Sequence, residues 1–196
     1  MPRSRTGRCS GTWGESSGST IGTAFQNNAI IEKFHEFRFF LGIHSLSGNA
    51  FYNSTLTEIT FAQNITSLGE RCFQRTPLAD IVLPEGLTSV GKYSFERYAL
   101  DTNGRKTMRA ILPSTITTLS ASSFSYCRFT KYFLCKALSV PSGFNGCIND
   151  SSCPIYVPDD SLASYKSAWS AYSSRMHSFT EFVEDFPDDA EELGIS

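Results

Sequence analysis

A chain of 196 residues, 40% of them hydrophobic, is long enough for one domain with a buried core. Its 17 Lys and Arg against 19 Asp and Glu give a formal charge of −2, which excludes the basic footprint of a nucleic-acid binder. The longest apolar run, around Phe37 to Ile43, is far shorter than the ~18 residues of a membrane span, so no membrane insertion is expected.

Residues 1–22 are rich in Ser and Gly and carry Arg3, Arg5 and Arg8. Such a stretch buries too little apolar surface to offset its chain entropy. A flexible arm is expected there, with Trp13 as its one anchor. The arginines invite an export-signal reading, but CSGTWGESSGST follows where an apolar core would be needed, so no signal peptide is read.

Beyond the arm the chain repeats itself. LTEITFAQNITSLGERCFQRTP (56–77) aligns with LADIVLPEGLTSVGKYSFERYA (78–99) at an offset of 22. Leu56 matches Leu78, Ile59 matches Ile81, Phe61 matches Leu83, Gly69 matches Gly91 and Phe73 matches Phe95. Backwards by the same offset stand Phe34, Phe37, Phe39, Ile43, Leu46 and Phe51. Forwards, after an insertion within the polar stretch 98–106, TMRAILPSTITTLSASSFSYC repeats the pattern. A fifth, shortened copy spans 129–148, with Tyr132, Leu134 and Leu138 on the pattern and Phe144 at the Phe position. Each copy carries an apolar stripe too small to form a core alone, and stacking aligns the stripes into ladders. The longest ladder would be Phe51, Phe73, Phe95, Phe124 and Phe144.

After the repeats, PIYVPDDSLASYKSAWSAYSSRM (154–176) reads as a strand, an acidic turn and a short helix. Tyr165 and Trp169 share one face of that helix, and Asp160 or Ser161 is placed to cap it. Residues 177–196 read as an acidic, solvated tail: Glu181, Glu184, Asp185, Asp188, Asp189, Glu191 and Glu192 are met by no Lys or Arg, and the rest of the chain is net basic. Phe179, Phe182 and Phe186, at spacings of three and four, leave docking onto the body open.

The pattern L-x-x-I-x-L-P-x-x-L-x-x-[VIL]-G-x-x-[ACS]-F over roughly residues 34–176 resembles the BspA-type leucine-rich repeat, also called the Treponema type. Ala62 and Cys135 in place of Pro, and Ser47 and Ser120 in place of Gly, depart from it. The resemblance implies a right-handed leucine-rich repeat β-solenoid at residues 23–176. It would have one parallel strand per ~22-residue repeat and a short C-terminal capping helix.

Strand side chains alternate between faces, so each expected strand offers outward positions. One column reads Glu36, Glu58, Asp80, Arg109, Lys131; the other reads Arg38, Thr60, Val82, Ile111, Phe133. Glu58, Asp80, Val82, Arg109, Ile111, Lys131 and Phe133 are therefore the candidate binding residues: an apolar stripe with a charged rim. The same residue types also favour strands anywhere, and the stripe would be bland if another segment covered it.

Catalytic chemistry is not apparent. His35 and His44 sit at surface repeat positions, and His177 follows the last helix. No G-x-S-x-G, P-loop or G-x-G-x-x-G is present, and the cysteines lack C-x-x-C spacing. Cys72 occupies a small packing position shared with Ala50 and Ser94; Cys127 and Cys147 share one with Ser54 and Thr76, where a bridge is conceivable but not required. Sequons at Asn53, Asn64 and Asn149 matter only in a eukaryotic secretory pathway. The expectation is a non-enzymatic binding module without metal or cofactor. The resemblance implies protein or cell-surface recognition of the adhesion type on bacterial or protist surfaces. The alternative is a structural or accessory subunit of an assembly such as a phage virion. Cell surface, virion and cytoplasm all stay open.

Overall fold

The structure is a computed structural model that describes residues 20–97, 107–143, 146–148 and 152–196. The chain runs β1 (Thr20–Ile21), β2 (Lys33–Phe34), β3 (Ser45–Leu46), β4 (Glu58–Ile59), β5 (Ser67–Leu68), β6 (Asp80–Val82), β7 (Ser89–Val90), β8 (Arg109–Leu112), β9 (Thr118–Leu119), β10 (Tyr132–Cys135) and β11 (Ile155–Val157). It closes with α1 (Leu162–Ala168), β12 (Met176–Ser178), α2 (Phe179–Asp185) and α3 (Pro187–Leu193). The arm through residue 19, the stretch 98–106, Phe144 and Asn149 lie outside the described residues.

Every strand pairing is parallel, as stacked coils require. The expected strand is present in the order β6-β8-β10-β11-β12, with β2-β4 ahead of it. The Ala79 N–H donates to the Thr57 carbonyl at 2.9 Å and so links the β4 coil to the β6 coil. Each coil also adds a second short strand, in a sheet ordered β1-β3-β5-β7-β9. Ser45↔Ser67↔Ser89↔Thr118 pair along it with Leu46, Leu68, Val90 and Leu119 buried behind. β1 belongs to this sheet, so the boundary expected at residue 22 cuts through structured chain.

The phenylalanine ladder is the spine. Phe25, Phe51, Phe73, Phe95 and Phe124 stack with centroids 4.8, 4.9, 5.3 and 5.2 Å apart and rings within 10° of parallel. It begins one rung earlier than the sequence alignment indicates, at Phe25. Stacking of this kind adds to the burial of each ring, itself worth about 1.5–3 kcal/mol.

The first aligned copy departs from the 22-residue offset. Phe34 pairs with Ile59, not Leu56, and the extra residues are taken up in a 3₁₀ turn over His35–Phe39. Phe37 is buried on that turn, whereas Phe39 is exposed. Glu36 and Arg38 therefore lie on a turn rather than in strand columns.

Coils approach closely where the sequence has glycine. A Cβ on Gly91 would stand 2.6 Å from the Gly69 carbonyl carbon, and one on Gly69 would stand 2.5 Å from the Gly48 nitrogen. Beside them Ala50, Cys72, Ser94 and Ser123 are fully buried. α1 closes the C-terminal end with Tyr165 edge-on to Trp169 at 4.7 Å, both buried. Ser161 stands at the N-cap, but its hydroxyl donates to the Leu138 carbonyl at 2.6 Å, tying the cap to the last repeat.

Candidate protein-binding face

The outward side of the larger sheet follows from the register. Asp80 pairs with Arg109 and Arg109 with Tyr132; Val82 pairs with Ile111 and Ile111 with Leu134. Between them Ile81, Ala110 and Phe133 point inward. Phe133 is thus not an outward residue: it is buried in the solenoid core, edge-on to Phe124 at 5.3 Å and to Phe129 at 5.7 Å. Lys131 stands one residue before the strand, and Tyr132 and Leu134 take the outward places. A one-residue slip moves every side chain to the other face. The slip was invisible in the sequence because all four residues of β10 are buried, which erases the alternation.

Ile111 does point outward, but it is covered. It forms a second core with Tyr132, Leu134, Tyr156, Phe182 and Ala190, separate from the solenoid core. The acidic tail is therefore not a solvated extension: it folds back over β8, β10 and β11. Ser178 and Glu181 start α2 with a reciprocal capping box. Phe182 then sits between Tyr132 at 4.9 Å and Tyr156 at 5.0 Å. Fully buried, it is held by edge-to-face ring contacts.

Polar contacts rim this second core. Tyr132 Oη donates to Asp189 Oδ2 at 2.7 Å, and Tyr156 Oη donates to Asp185 Oδ2 at 2.6 Å. Arg109 meets Asp189 and Glu192 at 3.4 Å each and Asp80 at 3.6 Å, and donates to Tyr132 Oη at 3.2 Å. Its side chain is only 14% exposed, and a charge so buried requires partners of this kind. Lys131 adds a contact to Asp189 at 3.5 Å, and Lys136 donates to the Leu193 carbonyl at 3.4 Å. Burial alone would raise the Asp189 pKa, but the Tyr132 hydrogen bond and the charges of Arg109 and Lys131 outweigh it and hold it below its usual value. Burial pushes the Tyr132 and Tyr156 phenols up, so both remain donors.

Among the described residues nothing covers the N-terminal half of the face as the tail covers the other half. Val82 is 44% exposed and borders a notch of about 390 Å³ lined by Thr60, Ile111, Glu85, Lys136 and the tail residue Leu193. Glu58 lies further along, paired with Lys33 and 3.2 Å from His35 Nε2. Of the seven candidates, Glu58, Asp80 and Val82 lie on this half. Arg109, Ile111 and Lys131 meet the tail, and Phe133 is interior. Tyr132, Leu134, Tyr156 and the tail carboxylates were missed. Their one signal was the spacing of the tail phenylalanines in an acid-only segment beside a net basic body.

Among the described residues no three His, Cys, Asp or Glu side chains are grouped to hold a metal ion. His44 Nδ1 lies 3.1 Å from the Asn64 carbonyl, and His177 Nδ1 lies 3.1 Å from Glu181. None of the five described cysteines forms a disulfide, and all are buried. Burial pushes the Cys135 thiol up to about 11, which keeps it protonated near neutral pH and unsuited to nucleophilic attack. No helix among the described residues is long and apolar enough to cross a membrane.

The family model for the BspA type leucine rich repeat region matches residues 20–151 in 6 copies. That is one copy more than the internal alignment counts, and the match starts at Thr20, where β1 begins. No curated protein matches the chain.

Proposed function

We propose that this chain, which belongs to the BspA-type leucine-rich repeat family, recognises a protein partner through the open half of its larger sheet. Repeats of this family are generally non-enzymatic binding modules. The observation that carries the choice of surface is Val82: it stays 44% exposed beside the notch while Ile111, its neighbour across the sheet, is buried under the tail. Asp80 and Glu58 are already paired with Arg109 and Lys33, so it is the exposed Val82 beside the notch that sets the chemistry, and the partner presents an apolar side chain. Adhesion at a cell surface is the role we assign to it.

The test is affinity capture from cell-surface and soluble extracts by the wild type and by Val82→Ser, after both show the same unfolding transition. A partner lost by the variant alone supports the reading. A partner retained equally by both sinks it.

A second reading, an accessory subunit of a larger assembly such as a phage virion, is favoured by the other end of the solenoid. Phe39 and Leu41 are exposed there and line a hollow of about 590 Å³ together with Ile21, Phe25, Phe40 and Ile43. α1 closes the opposite end, whereas among the described residues this end presents an apolar surface of the kind a neighbouring subunit would cover. Finding the protein in purified particles, and losing it with Leu41→Asp, supports that reading; its absence from particles removes it.

A further inference from the structure

The tail occupies the sheet face as a ligand would. We propose that the outward face of β8, β10 and β11 is a receptor for acidic, aromatic pairs of short helices. In this chain the tail holds that receptor closed, and a helix pair of the same chemistry from a partner displaces it. The inference goes beyond the open-half reading above, since it concerns the covered half of the same sheet.

The solenoid core is complete without the tail. The cluster built on Ile111, Tyr132, Leu134 and Tyr156 is separate from the main core; of the tail, Phe182 and Ala190 are buried in it, and Phe179, Val183, Phe186, Leu193 and Ile195 pack against it partly buried. Its anatomy is that of an interface, an apolar centre with a polar rim, rather than of a domain interior. The tail helices are seven residues each, too short to persist away from the sheet. Removing them uncovers aromatic and aliphatic side chains beside Arg109, Lys131 and Lys136.

The chemistry that fits is already written in the cis occupant. Phe182 fills the gap between the two tyrosine rings, and Phe186 packs on Tyr132 at 4.9 Å. Asp185 ends α2 and Asp189 stands in the first turn of α3, on either side of the break at Phe186, and they meet Tyr156 and Tyr132. A partner segment therefore needs the same pair of short helices, with two aromatic residues four apart, the second at the break between the helices, and a carboxylate three residues after each. Arg109 recognises the second carboxylate and is the positioning charge of the site. The covalently attached tail competes at millimolar effective concentration, which keeps the face shut until a tighter helix pair arrives.

The probe is a fluorescein-labelled peptide of residues 177–196, titrated by anisotropy into the full-length protein. Wild type and the full-length Phe182→Ala/Phe186→Ala variant are compared, each checked for a cooperative unfolding transition. The variant is expected to bind the peptide at least about tenfold more tightly than wild type, because its own tail no longer competes. Adding Arg109→Gln to the variant should weaken binding at least about tenfold, as loss of a charge-assisted contact does. A peptide with both phenylalanines changed to Ser should not bind. If the double variant does not fold, Asp185→Asn/Asp189→Asn/Glu192→Gln leaves the rings in place and weakens only the rim. A gain of about threefold is then expected. No gain over wild type in a folded variant, or a gain indifferent to Arg109→Gln, overturns the proposal. The open-half reading is read from capture by Val82→Ser and this one from the peptide titration, so failure of one and failure of the other are told apart.

Discussion

Tyr132 donates its phenolic hydrogen to Asp189 at 2.7 Å, joining the last repeat strand to the far end of the tail. Arg109 touches both partners, so the bond is part of a small network rather than an isolated contact. Tyr132→Phe removes the donor but leaves Asp189 with Arg109 and Lys131. The expected cost is about 1 kcal/mol, the net value of one hydrogen bond. Amide hydrogen exchange should quicken over 179–193 and not in the sheet of β3, β5 and β7. Equal quickening in both would mean that the tail and the solenoid unfold as one unit.

The tail should be released by acid before the solenoid opens. Three carboxyls that pin it lie below their usual values: Asp159 by the Thr180 hydroxyl, Glu181 by the Ser178 N–H, and Asp189, against its own burial, by Tyr132, Arg109 and Lys131. A carboxyl depressed in the folded state adds stability above its unfolded pKa, about 4, and that stability is lost as pH falls through the folded value. Docking should therefore be unchanged from pH 7 to about 5 and weaken below about 4. Hydrogen exchange or tyrosine near-ultraviolet dichroism across that range reads it. Release between about pH 5 and 7 would implicate a histidine instead.

Phe73 sits between two parallel rings, 4.9 Å from Phe51 and 5.3 Å from Phe95. Phe73→Ala opens a cavity that neighbouring coils cannot close, at a cost of about 3–5 kcal/mol. Phe25 ends the stack and is only partly buried, so Phe25→Ala should cost no more than about 2 kcal/mol. Urea midpoints of the two variants test the ordering, and equal losses would contradict it.

Gly91 is dictated by contact between coils. The Cβ of an alanine there meets the Gly69 carbonyl carbon at 2.6 Å and the Glu70 nitrogen at 2.7 Å, both backbone atoms that cannot rotate away. Gly91→Ala should destabilise by about 1–3 kcal/mol, as overpacking does. Gly42→Ala is the matched control, with nothing within 4 Å of the new atom. It should be neutral or stabilising by up to about 1 kcal/mol through the unfolded chain. A thermal melt of each variant decides.

The sequence alone determined the coil. Leu56, Ile59, Gly69 and Phe73 recur as Leu78, Ile81, Gly91 and Phe95, and residues at equivalent places in a stacked repeat meet their own kind. Such contacts are read from period without any knowledge of the third dimension. Only the tertiary structure decided which side of Tyr132-Phe133-Leu134-Cys135 faces inward, because a strand buried on both faces carries no alternation. It also decided that Ile111 lies beneath Phe182, and that Asp189 answers Arg109. Those partners share no period and stand far apart along the chain, so nothing local foretells their meeting. The apolar stripe and the acidic tail were each legible; that one covers the other was a matter of packing.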